Sequence, residues 1–238
     1  MKVRPTWLLP PATSRSKPDA LKVLARAAAI ALLASVPVSA QPAIPVASAV
    51  SCPGAEVVFA RGREEPPGVG YVGDALVSSL QAKLRNMPIG SYGANYPADV
   101  DPAKGANDMS AHVQYMARKC PNTREVLGGY SLGAVAADLV IALTKPGFGF
   151  TNPLPPGADQ HVAAVALFGN GTQRFLGPVP EFSPAFAGKT IEECAAGDPI
   201  CSGGDAQWSS HLQPAYINSG LVDQAAAFVA GKLKPGLA

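Results

Sequence analysis

Short apolar runs of strand length alternate along this chain with longer stretches whose apolar residues recur every three or four positions. Glu56 to Ala60 is one such run, ending at Arg61-Gly62, and Ser91 to Asn95 offers a second. Between them, Val72 to Leu84 carries Leu76, Leu80 and Leu84 at the spacing of one helix face. Gly105 to Lys119 reads the same way, with Met109, Val113 and Met116 aligned. Arg124 to Gly128 is a third strand, Leu132 to Thr144 the helix after it, and Pro146-Gly147 stops that helix. His161 to Phe168 is almost continuously apolar, as suits a central parallel strand covered on both faces. Lys189 to Glu193 gives a last short strand and Ser219 to Lys232 a C-terminal helix. Strands alternating with helices predict an α/β fold, a three-layer sandwich with helices on both faces of a mostly parallel sheet.

The third strand meets its helix at Gly129-Tyr130-Ser131-Leu132-Gly133. Gly-x-Ser-x-Gly between a strand and a helix is the setting of a nucleophile elbow, a turn so tight that only small residues fit around the serine. In isolation the same pattern is an ordinary turn; the flanking strand and helix favour the elbow. A serine hydroxyl needs a base, and the base needs a carboxylate behind it. In hydrolases with this elbow they follow in the order Ser, then Asp or Glu, then His. Of the three histidines, His112 precedes Ser131 and reads as a helix-surface or capping residue. His161 opens a strand at the end away from the elbow. His211, flanked by Ser209, Ser210 and Pro214, reads as a loop residue and is the candidate base.

Five Asp residues follow Ser131. Asp138 is two turns along the nucleophile's own helix, Asp159 precedes a strand, and Asp223 follows His211. Asp198 and Asp205 remain. Asp198, followed by Pro199 and enclosed by Cys194 and Cys201, is the favoured orienting acid; Asp205, beside Gly203 and Gly204, reads as a turn residue. The oxyanion formed during acyl transfer needs backbone donors. The N–H of Leu132 is one candidate, and Arg61-Gly62-Arg63-Glu64 after the first strand supplies the other. A solvated charged loop is the alternative for that segment. Pro146 to Pro156 and Phe175 to Phe186, rich in Pro, Gly, Phe and Leu, either pack on the core or form an apolar rim for an acyl chain.

Residues 1–40 form a candidate signal peptide. Six basic residues precede the apolar run Ala27 to Val36, and Val38-Ser39-Ala40 supplies a small-residue cleavage pattern. Ala47-Ser48-Ala49 is a second candidate, and the long basic region suggests a start downstream of Met1. The apolar run is shorter than the roughly 20 residues that span a bilayer. Residues 41–51 read as a flexible entry and 52–238 as one domain. Without the leader, the formal charge of +2 becomes slightly negative. The basic balance therefore resides in the leader, and nothing favours nucleic-acid binding. All four cysteines, Cys52, Cys120, Cys194 and Cys201, lie beyond the leader and read as two disulfides of an exported protein. Cys194 and Cys201 close a short loop, which leaves Cys52 with Cys120. Metal ligation is the weaker reading, because no Cys-x-x-Cys pair or histidine cluster accompanies them.

Taken in order, several motifs resemble the cutinase family of serine esterases, in its mycobacterial cutinase-like branch. They are Phe59-Ala60-Arg61-Gly62, Glu65-Pro66-Pro67-Gly68, Asn95-Tyr96-Pro97, Cys120-Pro121, Gly128 to Gly133, Asp198-Pro199 between Cys194 and Cys201, and His211-Leu212. The resemblance implies the triad Ser131, Asp198 and His211, the disulfides Cys52–Cys120 and Cys194–Cys201, and an α/β-hydrolase fold without a large lid. Two positions depart from the family. Leu132 stands where many relatives have Gln, and Arg63 where they have a Ser or Thr hydroxyl that helps hold the oxyanion. Loss of one such donor costs about 10²- to 10³-fold in kcat.

The expected protein is a secreted carboxylic ester hydrolase. Its partners are an ester or lipid substrate, with peripheral contact to lipid or the cell envelope. It is expected to be a monomer and to need no metal or organic cofactor. A lipase, phospholipase or polyester hydrolase is the related alternative. An exported binding protein on an esterase scaffold, suggested by Arg63, is the alternative of another class.

Overall fold

The structure, a computed structural model, describes residues 51–203 and 206–234. The expected signal peptide, all but the last residue of the expected entry segment, and Asp205 lie outside the described residues.

Five strands are described: β1 (Ala55–Ala60), β2 (Ile89–Gly93), β3 (Arg124–Tyr130), β4 (Val162–Phe168) and β5 (Thr190–Glu193). All pair in parallel, in the order β2-β1-β3-β4-β5. The helices are α1 (Gly70–Lys83), α2 (Pro102–Lys119), α3 (Leu132–Ala142), the single turns α4 (Gln173–Leu176), α5 (Val179–Phe182) and α6 (Pro184–Ala187), then α7 (Gln213–Ile217) and α8 (Leu221–Leu233).

Successive strand residues point to opposite faces, so each central strand feeds two cores. Val57, Phe59, Val126 and Phe168 pack with Leu76 and Leu80 of α1 and Val229 of α8. Val58, Leu127, Val165 and Leu167 pack with Met109 and Val113 of α2 and Val140 of α3. Full burial of one such side chain contributes about 1.5–3 kcal/mol. This is a three-layer α/β sandwich, as the alternating pattern requires.

The boundaries differ where local chemistry outweighs periodicity. Helix α2 begins three residues before the expected Gly105, because Asp101 caps it, accepting from the Ala103 N–H at 3.0 Å, with Pro102 in the first turn. Much of the segment expected as an irregular loop, Phe175 to Phe186, is coiled into α4, α5 and α6. Prolines that signal a loop in the sequence sit in the first turns of α5 and α6, where their missing N–H costs nothing.

The order reverses across β1: the chain runs outward to β2 and then returns to β3 on the other side. The loops after β1, β3, β4 and β5 all emerge at the carboxyl edge of the sheet, where open α/β sheets bind ligands.

Candidate active site

Ser131 sits at the join of β3 and α3 with φ 54° and ψ −118°, a conformation costly for any side chain larger than glycine. The surroundings hold it there. Its N–H donates to the Phe168 carbonyl of β4 at 2.9 Å. A Cβ on Gly133 would lie 1.9 Å from the Ala60 carbonyl oxygen, and one on Gly129 would lie 2.1 Å from that of Gly133. Both glycines are required by this close approach of three backbone segments, which leaves the Ser131 side chain projecting from the sheet edge.

Ser131, His211 and Asp198 are linked in series. Ser131 Oγ is 2.8 Å from His211 Nε2, and His211 Nδ1 is 2.7 Å from Asp198 Oδ2. An ionised carboxylate only accepts, so Nδ1 carries the ring proton and Nε2 is free to accept from the serine. Asp198 is fully buried and His211 nearly so. Asp198 Oδ1 accepts from the Ile200 N–H at 2.7 Å, and Oδ2 also accepts from the Tyr216 hydroxyl. Burial, with Asp198 alongside, raises the Tyr216 pKa well above its ordinary value, so this hydroxyl keeps its proton and donates. Tyr130 donates to the His211 carbonyl, and its ring packs against the imidazole at 5.5 Å between centroids. Trp208 covers another side of that ring at 5.1 Å.

Two disulfides are present, Cys52–Cys120 and Cys194–Cys201. The second closes the loop that carries Asp198 over a sequence separation of 7. Loop-closure entropy for so short a loop gives about 2.5 kcal/mol. The double variant Cys194→Ser/Cys201→Ser is expected to lose about that much stability in a denaturant titration.

The loop after β1 turns part of its charge inward, while Arg63 and Glu64 stay exposed. Arg61 is buried, donating from Nε to the Glu65 carbonyl at 2.8 Å, from Nη1 to Ala94 at 3.2 Å and from Nη2 to Tyr96 at 2.6 Å. The Glu65 carboxylate, also buried, accepts from the Gly62 N–H at 2.6 Å and the Tyr71 N–H at 3.1 Å. These two residues hold the backbone so that Arg63 and Glu64 face the cleft. Glu64 has φ 64° and donates its N–H to Ala98, itself at φ 54°, at 2.8 Å. Three of the four non-glycine residues with positive φ among those described, Glu64, Ala98 and Ser131, are thus in or joined to the cleft wall. Leu132 is the first residue of α3, and its N–H has no acceptor within the helix.

The cleft over Ser131 measures about 490 Å³. Leu132, Val135, Ile200, Trp208 and Leu212 make its apolar side, and Arg63, Glu64 and Asp99 its charged side. Neither proline-rich loop lines it. Pro155 and Pro156 instead border a separate cavity of about 210 Å³ with Phe182 and Phe186, beside the end of α3. Phe150 and Phe186 are buried, so much of what reads as an acyl rim is core, although Phe175 and Leu176 are exposed. Among the described residues, no group of three or more His, Cys, Asp or Glu is arranged to hold a metal ion.

A family model described as Cutinase matches residues 51–233. The chain belongs to the cutinase family. It is 54% identical over 225 residues to a protein named "Probable carboxylesterase Culp2" of Mycobacterium tuberculosis, covering 90% of this chain and 97% of the relative. It is 51% identical over 214 residues to one named "Phospholipase Culp4" of the same organism, covering 89% and 90%. A Trichoderma reesei cutinase solved with a phosphonate inhibitor superposes with a TM-score of 0.60 at 31% identity, over 77% of this chain and 78% of that one. The catalytic core of acetyl xylan esterase from Trichoderma reesei gives 0.62 at 27% identity, over 76% and 100%. This cutinase-family chain is a carboxylic ester hydrolase with the α/β-hydrolase fold.

Three features of this chain are not evident from sequence patterning. His112 is not a surface or capping residue: its Nε2 is 2.7 Å from Glu56 Oε2, and its ring stacks on Tyr92 at 3.5 Å. Glu125 is buried with both carboxylate oxygens unpartnered. Asp138 is buried beneath the segment that follows β4. The signal that would have found them is a charged residue inside an otherwise apolar helix or strand face.

Proposed function

We propose that this protein is a secreted serine carboxylesterase in which Ser131 is the nucleophile, His211 the general base and Asp198 the orienting acid. The observation that carries the reading is the unbroken series Ser131 Oγ, His211 Nε2, His211 Nδ1 and Asp198 Oδ2, with contacts of 2.8 Å and 2.7 Å, opening on the cleft.

His211 takes the Ser131 proton as Oγ attacks the ester carbonyl. The backbone N–H groups of Leu132 and Arg63 hold the oxyanion that forms. The tetrahedral intermediate collapses, the imidazolium returns the proton to the leaving alcohol, and an acyl-serine remains. Water, deprotonated by the same imidazole, releases the acid. Asp198 keeps the imidazole in the tautomer this cycle needs and stabilises its charged form. Arg63 cannot supply the short hydroxyl found at its position in relatives, so its backbone is the donor on that side.

The apolar side of the cleft suits a short- to medium-length acyl chain. A phospholipid or polyester substrate is the second reading, favoured by the relative named a phospholipase and by exposed Val100, Trp208 and Leu212 at the cleft. Export is supported by the leader pattern and by two disulfides, which persist in oxidising compartments.

Purified protein is expected to turn over p-nitrophenyl butyrate and to be labelled by a fluorophosphonate, with both lost in Ser131→Ala. Absence of turnover and label in the folded wild type would overturn the reading in favour of a binding protein on an esterase scaffold. A label retained by Ser131→Ala would place the nucleophile elsewhere.

A further inference from the structure

The turn after β1, Gly62 to Glu65, commits three of its four backbone N–H groups to holding its own shape. The Gly62 N–H donates to Glu65 Oε2 at 2.6 Å, the Glu64 N–H to the Ala98 carbonyl at 2.8 Å and the Glu65 N–H to the Gly62 carbonyl at 3.3 Å. Among the described residues, the Arg63 N–H alone in this turn finds no acceptor, and Arg63 lines the cleft with Ser131. Backbone donors away from water are almost always paired, so a spare one beside the nucleophile is a donor held for a ligand.

The turn does not keep this shape by itself. Its third residue, Glu64, has φ 64°, and Arg63 before it does not share the positive φ. That is the pattern of a type II turn, which favours glycine at the third position. With glutamate there, the conformation persists only where its surroundings impose it.

Glu65 imposes it from inside the protein, where it is only 7% exposed. Its carboxylate closes the turn at Gly62 through Oε2. Through Oε1 it accepts from the Tyr71 N–H at 3.1 Å and from Gln213 Nε2 at 3.3 Å. Tyr71 lies in the first turn of α1, where unpaired N–H groups and the helix dipole favour a negatively charged acceptor. Gln213 begins α7, two residues after His211. One carboxylate therefore joins the turn with the spare donor, the start of α1 and the segment that carries the base. The space around it is closed. A Cβ on Gly62 would lie 2.6 Å from Tyr130 Cδ1, and one on Gly70 would lie 2.6 Å from Glu65 Oε2.

We propose that Glu65 is a positioning residue, which fixes the Arg63 N–H for the oxyanion by closing the turn at Gly62. The inference rests on ester hydrolysis at Ser131 with the Arg63 N–H as a donor. A displaced donor weakens binding of the transition state, where the oxyanion has formed, and leaves the ground-state ester little affected. The effect therefore falls on kcat, with KM nearly unchanged.

Two variants separate the hydrogen bond from the charge. Glu65→Met keeps the length of the side chain and removes both acceptors. Its kcat for p-nitrophenyl butyrate is expected to fall about 100-fold, the size of effect of losing one oxyanion donor. The Ki of butylboronic acid, whose adduct with Ser131 imitates the tetrahedral intermediate, is expected to rise by the same factor. In Glu65→Gln the single amide oxygen stays with the buried Gly62 N–H, while the partly exposed Tyr71 N–H turns to water and the Gln213 amide rotates. Its kcat is expected to stay within about threefold of the wild type. A folded Glu65→Met that keeps kcat within about threefold, or a Glu65→Gln that loses as much as Glu65→Met, would overturn the proposal. Hydrogen exchange in Ser131→Ala reads the turn without turnover, whether or not Ser131 is the nucleophile. The Gly62 amide is expected to be protected there, and about 100-fold less protected in Ser131→Ala/Glu65→Met. A Gly62 amide that exchanges freely in Ser131→Ala refutes the proposal even if a Glu65 variant fails to fold.

Discussion

Asp198→Asn is expected to lower kcat for soluble esters by about 10⁴-fold with little change in thermal stability, the size of effect seen when a serine hydrolase's histidine is left in the wrong tautomer. The reason is the inventory of donors around Asp198. Oδ1 accepts from the Ile200 N–H at 2.7 Å, and Oδ2 accepts from both His211 Nδ1 and Tyr216. Asparagine has a single oxygen for these three donors. If the oxygen stays with the Ile200 N–H, the amide protons face Nδ1, and His211 must move its own proton to Nε2. That nitrogen then confronts the Ser131 hydroxyl as a donor and cannot take its proton. If the amide flips, its protons meet the Ile200 N–H, and a buried donor pair is left unsatisfied at a cost of about 1–3 kcal/mol. The first arrangement keeps the shape and destroys the base. Kinetics of purified Asp198→Asn beside the wild type, with melting curves for both, check the expectation. A loss smaller than about tenfold in a well-folded variant would mean that Asp198 does not set the tautomer, and the role would pass to another carboxylate.

The same residues show how far the sequence carries. Ser131, His211 and Asp198 can be chosen from sequence because each is marked locally: glycines around the serine, a loop setting for the histidine, a proline and a short cysteine loop around the aspartate. The fold brings those three side chains into one hydrogen-bonded series. The alternating layers are equally legible, since Val57 and Val58 report opposite faces by their position in a two-residue period. What stays hidden is charge that turns inward. Arg61 reads as part of a donor turn, with a solvated loop as the alternative, because nothing in a local window says that the carbonyls of Ala94 and Tyr96 will close over the guanidinium. His112 reads as a helix-surface or capping residue, and the burial of Asp138 goes unseen, for the same reason: their partners lie 56 and 32 positions away. Pro146 to Pro156 errs the other way. Its apolar content marks burial, as Phe150 shows, and sequence composition cannot tell a buried loop from a binding rim.

Glu125 carries the largest expected effect on stability. It sits near the start of β3, directly opposite Glu56 on β1, at a register shift in the pairing with β4. It is 1% exposed, and neither carboxylate oxygen has a partner. Burial, reinforced by the Glu56 charge, pushes its carboxyl from 4.5 up to about 8. Because the folded value lies above the unfolded one, the folded state holds this proton more tightly. The associated stability is fully present below about pH 4.5, falls as pH rises between the two values, and is lost once pH passes about 8. Over that span the loss is on the order of 5 kcal/mol, a large part of a domain's typical stability. Glu125→Gln removes the titration but not the shape. Its amide introduces a buried donor, so at pH 5 the variant is expected to match the wild type or fall slightly below it. Near pH 8.5 it is expected to be more stable by several kcal/mol. Urea titrations of both proteins at the two pH values measure the difference. Parallel pH dependences would show that Glu125 is not the group that binds the proton. The neighbouring His112–Glu56 pair, joined at 2.7 Å, would then be the place to look.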